Sequence, residues 1–456
     1  MAISSSGSSE SVRVAPGETT RYGSALAMVT TLFFMWGFLT SLNDILIPHL
    51  KSIFELNYAE VMLVQFAFFS TYALLGIPSG KIVEWIGYKR TMVLGLLTMG
   101  AGSLLFIPAA EVPSYPLFLG ALIVLAAGIT ALQVAANPYV SILGPPATAS
   151  SRLNLTQAFN SLGTVIGPVF GAFAILRGAT SIVNNLQALP PAQRRAYQIH
   201  EASTVNIPYI GIALALILLG LAIAMYKFPR LETTKDYRRS ELSIQKHDSM
   251  WRHPHVVFGA IGIFVYVGAE VSIGSFLINY FARPEIGGLA QAAAGGSLHA
   301  ASAALLRLLT KVLGTWVPIY WGGLMIGRFI GSGVLQKAKP GKMLSLCALC
   351  AAVLVVVSML TDGSLAVWSI LLVGLFNSIQ FPTIFTLGIA EMGSLTGEAS
   401  GLLITAIVGG AIIPELQGFL ADRIGIHHAF ILPILCYLYI AWYGLRGSRI
   451  REPKAA

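Results

Sequence analysis

Three carboxylic acids stand inside otherwise apolar stretches of this chain, and burying a charge there is costly enough to make each a functional candidate. Asp44 lies in Ser41-Leu42-Asn43-Asp44-Ile45-Leu46-Ile47-Pro48, toward the far end of the first apolar run. Glu270 lies in Tyr266-Val267-Gly268-Ala269-Glu270-Val271-Ser272, with apolar sequence on both sides and no cation nearby along the chain. Glu415 follows Pro414, where a kink frees backbone groups that can pair with it, so a structural role suits it equally well. A carboxyl group in such a place can take up and release a proton as its surroundings open to water. Proton exchange is the chemistry expected of Asp44 and Glu270.

Neutral amides accompany the acids. Gln133 and Asn137 share one helix face, Asn154, Gln157 and Ser161 form a stripe at helical spacing, and Asn377 and Gln380 form another. With Asn43, Gln65 and Asn160 they make up the candidate ligand-binding set. An amide both donates and accepts hydrogen bonds, which suits a ligand rich in hydroxyls. The same groups can also bond one helix to another. Phe68, Phe69, Tyr72, Phe159, Tyr280, Phe376 and Phe381 are candidates for stacking on a ring.

These side chains need a scaffold that lipid covers. The 456 residues are 55% hydrophobic and 11% charged, against roughly 25% charged in soluble domains. Apolar runs near the length that crosses a bilayer fall at 23–48, 59–80, 90–109, 115–142, 153–176, 205–227, 255–281, 314–336, 342–361, 364–390, 396–421 and 428–446. The expected fold is an all-α polytopic membrane protein of twelve transmembrane helices in two six-helix halves. Residues 1–22, Ser- and Gly-rich without an apolar core, read as a disordered cytoplasmic tail and not a cleavable signal. A basic linker, 228–254, separates an N-terminal bundle, 23–227, from a C-terminal bundle, 255–446, and 447–456 is a second tail. The loops at 177–204 and 283–313 have room for short helices.

Lys81, Lys89, Arg90, Arg238, Arg239, Lys337 and Lys342 fall on the side of the N-terminus, as do most of the 29 Lys and Arg. Both termini are therefore expected in the cytoplasm, with the chain in the cell's inner (plasma) membrane. The net charge of +9 follows that topology and not nucleic-acid binding. Cys347 and Cys350 form a CxxC without a second pair or a nearby His, and Cys436 stands alone. No metal site is expected, and the thiols read as small apolar side chains. The sequence shows no nucleophile triad order and no phosphate loop, so neither an enzyme nor a cofactor is expected. A monomer in the lipid bilayer is.

Gly80, Glu84, Gly87, Lys89 and Arg90 lie in order between the second and third runs. The glycines permit a tight turn, and Glu84 can accept a hydrogen bond or ion pair from a basic group or a helix end. The pattern resembles the loop signature of the major facilitator superfamily, whose architecture is two six-helix, pseudo-symmetric halves. A weaker copy, Gly331 to Lys342, lacks the acid.

Further segments point to one branch. Phe34-Met35-Trp36-Gly37-Phe38 with Leu42 to Pro48, Gln133-Val134-Ala135-Ala136-Asn137-Pro138-Tyr139, Arg152 to Ser161, and Gly374 to Thr383 resemble the fucose and glucose/galactose permease family of that superfamily. The resemblance runs from the first apolar run to the last and implies proton-coupled import of a monosaccharide by alternating access. Asp44 matches the first-span acid of the fucose branch, whose partner is a span-four Glu. That position holds Gln133 here, which cannot titrate. Gly268-Ala269-Glu270-Val271-Ser272 is similar to the glucose/galactose branch, so Glu270 is expected to supply the second carboxylate. A hexose such as glucose or galactose is the expected sugar. N-acetylglucosamine and fucose stay open as substrates, and sodium as the coupling ion. Two other classes compete: a drug/proton antiporter, suggested by the glycine–proline pattern of Gly163 to Gly171, and a sugar sensor that does not transport.

Overall fold

The computed structural model describes residues 18–54, 58–112, 114–174, 190–229, 249–287 and 317–450, and its regular structure there is helical. The first span is Glu18–Phe54, and the second and third share one run of helix, Tyr58–Glu111. The fourth is Tyr115–Ile142 and the fifth Ala149–Ala174. A short helix, Pro191–Ser203, leads into the sixth, Asn206–Met225. The seventh is Pro254–Phe281, the eighth Val317–Val334 and the ninth Pro340–Leu360. The tenth is broken into Gly363–Asn377 and Gln380–Gly388, and the eleventh into Thr396–Thr405 and Gly409–Ile424. The twelfth is centred on Ile431–Trp442.

Among the described residues, 9 helices are long and apolar enough to cross a membrane. The stretch from Leu63 to Glu111 holds two of the spans. The fifth and eighth, which carry the buried amides and Arg328, complete the twelve. A helix satisfies its own backbone polar groups, which is why these runs fold this way in lipid. The outer faces are apolar, with Leu74, Ile207, Leu214 and Leu360 exposed, while Gln133, Asn154 and Asn377 are buried.

The first helix starts at Glu18, earlier than the expected boundary. Tyr22 packs against the core and Ser24 Oγ hydrogen-bonds Tyr226 Oη at 2.6 Å, so this segment joins the first span instead of the tail. Between the second and third spans, Gly87 takes φ 82° and ψ 164°, a conformation open only to glycine. Lys89 Nζ donates to Ala224 O at 2.7 Å, satisfying a carbonyl at the end of the sixth span. Glu84 reaches the start of the eleventh span, where a Cβ on Gly397 would lie 3.4 Å from its Cγ. Free backbone N–H groups at a helix start favour an acid there. Arg90 is exposed.

The two halves repeat one packing device. Gly163 of the fifth span sits against the first-span backbone, 2.8 Å from Phe38 N were it given a Cβ. Gly409 of the eleventh sits in the same way against Phe264 of the seventh. The glycine–proline pattern that suggested an antiporter thus holds two helices close together.

Starts of the first and seventh spans and ends of the sixth and twelfth lie on one side, as Ser24–Tyr226 and Tyr443 Oη to His255 O (3.1 Å) show. On this terminal side the halves touch. Gly76 and Gly80 of the second span meet Gly401 and Gly397 of the eleventh, with a Cβ on Gly76 only 2.8 Å from Gly401 O. Ser150 Oγ pairs with Thr386 Oγ1 (2.6 Å), Ser151 Oγ donates to Ser332 O (2.6 Å), and Ser400 Oγ donates to Val134 O (2.8 Å). All of these contacts fall in the terminal-side portions of their spans.

Candidate functional site

Glu270 lies half-buried in the middle of the seventh span. Tyr266, one helical turn earlier on the same face, donates its hydroxyl to Glu270 Oε1 at 2.9 Å and also approaches Asn377 O at 3.1 Å. Tyr320 Oη, from the eighth span, points at Glu270 O at 3.4 Å and accepts from Asn377 Nδ2 at 2.9 Å. Gln380 Nε2 donates to Asn377 Oδ1 at 3.1 Å and to Phe376 O at 3.2 Å. Asn377 and Gln380 thus stand together as their spacing predicts, on either side of the break in the tenth span.

Pro382 explains that break. It has no N–H to offer Ser378 O, so the helix loses a bond and the chain yields between Asn377 and Gln380. The freed Ser378 carbonyl accepts from Arg328 Nε at 3.3 Å. Arg328 is 7% exposed. Its Nη1 crosses to the first half, donating to Gln157 O at 3.2 Å and to Ser161 Oγ. Its own carbonyl accepts from Asn154 Nδ2 at 2.7 Å. No cation is near Glu270 along the chain, but the fold brings Arg328 of the eighth span to the same break in the tenth span. The cation lies far along the chain and reaches the site only through the fold.

In the first half the amides are buried. Gln133 Nε2 donates to Tyr72 Oη at 2.8 Å, and Gln157 Nε2 to Asn137 Oδ1 at 3.4 Å. Asn160 Nδ2 donates to Phe33 O at 3.0 Å, tying the fifth span to the first. The stripe of Asn154, Gln157 and Ser161 faces the eighth span and receives Arg328. Within the candidate binding set, three described amide atoms have no partner within the protein: Asn137 Nδ2, Asn154 Oδ1 and Gln380 Oε1. Each is a hydrogen-bonding position that a hydroxyl could fill.

Gln65 is half-buried on the second span. Asn43 and Asp44 fall within the first helix, but their side chains lie outside the described residues. Glu415 stands apart from the network, exposed beside Ile412, Leu416 and Phe419. Tyr72, Phe68 and Phe381 are buried near the amides, whereas Tyr280 belongs to a separate contact with His427 and Ser358. Among the described residues no group of three His, Cys, Asp or Glu side chains could hold a metal ion.

Sequence reasoning passed over Arg328, Tyr266 and Tyr320. Arg328 carried a signal, since an arginine in an apolar run is as unusual as an acid there. The tyrosines carried none, because they are common in membrane helices and only their neighbours distinguish them.

Comparison with known proteins comes from several directions. The Major Facilitator Superfamily model matches residues 27–414. The chain is 50% identical over 428 residues to a glucose/galactose transporter of Brucella abortus, covering 94% of this chain and 95% of that one. It is 34% identical over 427 residues to the L-fucose-proton symporter of Escherichia coli, covering 93% of each. A solved structure of the transporter FucP in the outward conformation is similar at a TM-score of 0.78 and 33% identity, across 94% of this chain and 100% of that one.

Proposed function

The chain belongs to the major facilitator superfamily, and from that premise we propose that it imports a monosaccharide, glucose or galactose, together with a proton by alternating access. The observation that carries the reading is Glu270, an intramembrane acid half-buried where the seventh, eighth and tenth spans converge and bonded into a network of tyrosines and amides. A polyhydroxylated ring meets its needs from such a set, because amides and phenols both donate and accept. The halves are joined on the terminal side, which corresponds to an outward-facing state. The full names of relatives along nearly the whole chain point the same way. Gln133 stands where the fucose branch has its second acid, so glucose or galactose is favoured over fucose.

Asp44 and Glu270 are the proposed proton carriers. The binding set is Asn43, Gln65, Gln133, Asn137, Asn154, Gln157, Asn160, Asn377 and Gln380, with Tyr266 and Tyr320 added from the geometry. Lys81, Lys89 and Arg90 on the terminal side support cytoplasmic termini and an inner-membrane location. A monomer carries out the cycle.

Reconstitution into proteoliposomes tests this. Labelled glucose and galactose should accumulate above equilibrium under an inward proton gradient and only equilibrate under a sodium gradient. Accumulation driven by sodium alone, or uptake of a cationic dye in place of either sugar, would overturn the proposal.

A further inference from the structure

We infer that Arg328 is a positioning residue that ties the charge on Glu270 to the contact holding the two halves together on the terminal side. The inference rests on the reading of Glu270 as a proton carrier and adds how that proton moves the protein.

The tie runs through the break in the tenth span. Two successive carbonyls there, Asn377 and Ser378, accept from side chains of other spans. Tyr266 Oη reaches Asn377 O at 3.1 Å and Glu270 Oε1 at 2.9 Å, so its single proton serves two acceptors. Arg328 Nε takes Ser378 O at 3.3 Å, which Pro382 leaves without a helical donor. From the same guanidinium, Nη1 extends to Gln157 O and Ser161 Oγ of the other half. A continuous path of hydrogen bonds and one peptide unit therefore joins Glu270 to the fifth span.

Charge gives the path a direction. Among the described residues Arg328 has no carboxylate within ion-pair distance, and its acceptors Ser378 O, Gln157 O and Ser161 Oγ are neutral. Among the described residues, the titratable and charged groups set around Glu270 are Tyr266 on its own span, Tyr320 and Arg328 on the eighth, and Tyr437 on the twelfth. A buried guanidinium needs negative charge nearby to stay where it is. With Glu270 ionised, Arg328 is held and the terminal-side seam stays shut. A proton arriving from the outer water neutralises Glu270 and removes that attraction. The Tyr266 proton, no longer drawn to a charged oxygen, turns to Asn377 O. Arg328 is then less stable between the halves, and the seam loosens. When the proton leaves to the inner water, the regained charge draws Arg328 back. Proton uptake from outside thus favours opening to the inside, which is the order a symporter requires.

The test uses purified protein in detergent with Cys347, Cys350 and Cys436 replaced by Ser and one reporter, Ser332→Cys, at the seam. The measurement is the rate of alkylation by a water-soluble maleimide after correction for the ionisation of the thiol, from pH 5.5 to 8. With Arg328 in place the corrected rate should be low at pH 8 and rise as pH falls. Arg328→Gln should raise the pH 8 rate about tenfold, the ratio expected for loss of a charge-assisted hydrogen bond, and flatten the pH dependence. Ser161→Ala removes one contact, keeps the charge and should give a smaller rise, which covers the case in which Arg328→Gln fails to fold. Pro382→Ala restores a donor for Ser378 O and should also speed labelling. Labelling of Arg328→Gln and Ser161→Ala as slow as the parent overturns the inference, as does a parent rate that ignores pH. Failure of the underlying reading would show elsewhere, as uphill sugar transport that survives Glu270→Gln.

Discussion

The two six-helix halves share a packing plan but differ in what they bury. In the first half the fourth and fifth spans run unbroken, Tyr115–Ile142 and Ala149–Ala174, and the stripe they bury is of neutral amides and hydroxyls that bond to one another, to Tyr72, to backbone or to Arg328. In the second half the tenth and eleventh spans are both interrupted, and the seventh and eighth bring Glu270 and Arg328 to the break. Neutral amides on continuous helices keep their geometry whatever the pH. A carboxylate and a guanidinium beside a broken helix do not, because one proton changes their attraction and the break supplies backbone that can move. The comparison teaches that a symmetric fold can bury different chemistry in its two halves, neutral hydrogen-bonding groups on the unbroken fourth and fifth spans and a charged pair beside the broken tenth.

The largest effect should come from removing the titrating group. Glu270→Gln is expected to abolish accumulation against a gradient, to weaken sugar affinity about tenfold or more through loss of a charge-assisted bond, and to leave exchange of sugar for sugar measurable. Asp44→Asn probes the acid of the first half, and it too should lose proton-driven accumulation while keeping exchange. If Asp44→Asn alone uncouples transport and Glu270→Gln does not, titration belongs to the first half alone. Next in size is Gly401→Leu. Its side chain would enter the contact with Gly76 O, where overpacking costs about 1–3 kcal/mol. The outward state should lose population, read as weaker sugar binding from outside with the inner side more reactive. Unchanged affinity would mean that the second and eleventh spans can separate without consequence. A smaller effect is expected from Gln133→Glu in the Glu270→Gln background. The new acid would sit beside Tyr72, away from the broken span. It should restore only a minor part of accumulation, and full rescue would show that either half can host the charge.

Much of this was legible in the chain. The spans could be read from apolar runs because crossing lipid takes about 20 apolar residues. The Gly80 to Arg90 pattern anticipated a turn that needs glycine, and Gly87 takes a backbone angle open only to that residue. Asn377 and Gln380 were expected side by side and are bonded. Hidden from sequence were relations between distant spans. Periodicity says which residues of one helix share a face but not which helix that face meets. The stripe on the fifth span was therefore expected to meet a ligand, and in this conformation it meets Arg328. The break at Ser378 had its cause in plain view at Pro382, yet a proline does not say which side chain of another span will satisfy the carbonyl it frees.

The smallest effect concerns a place where the second half is imperfectly satisfied. Gln417 is fully buried, and neither polar atom of its side chain has a partner within the protein. Register locates its neighbour. Gly409 packs on Phe264 and Gly268 on Ile413, each four residues further along two parallel spans, so the next layer pairs Ser272 with Gln417. Phe276 beside Gly418 shows that the spans still touch beyond it. Ser272 Oγ is also buried without a partner, so the two groups do not bond to each other. An unmet buried amide costs about 1–3 kcal/mol, whereas methionine fills a similar volume with no polar group to satisfy. Gln417→Met should therefore raise the melting temperature of the detergent-solubilised protein by a stabilisation of about 1–2 kcal/mol, with glucose uptake within twofold of the parent. A lower melting temperature would show that ordered water satisfies the amide between the seventh and eleventh spans.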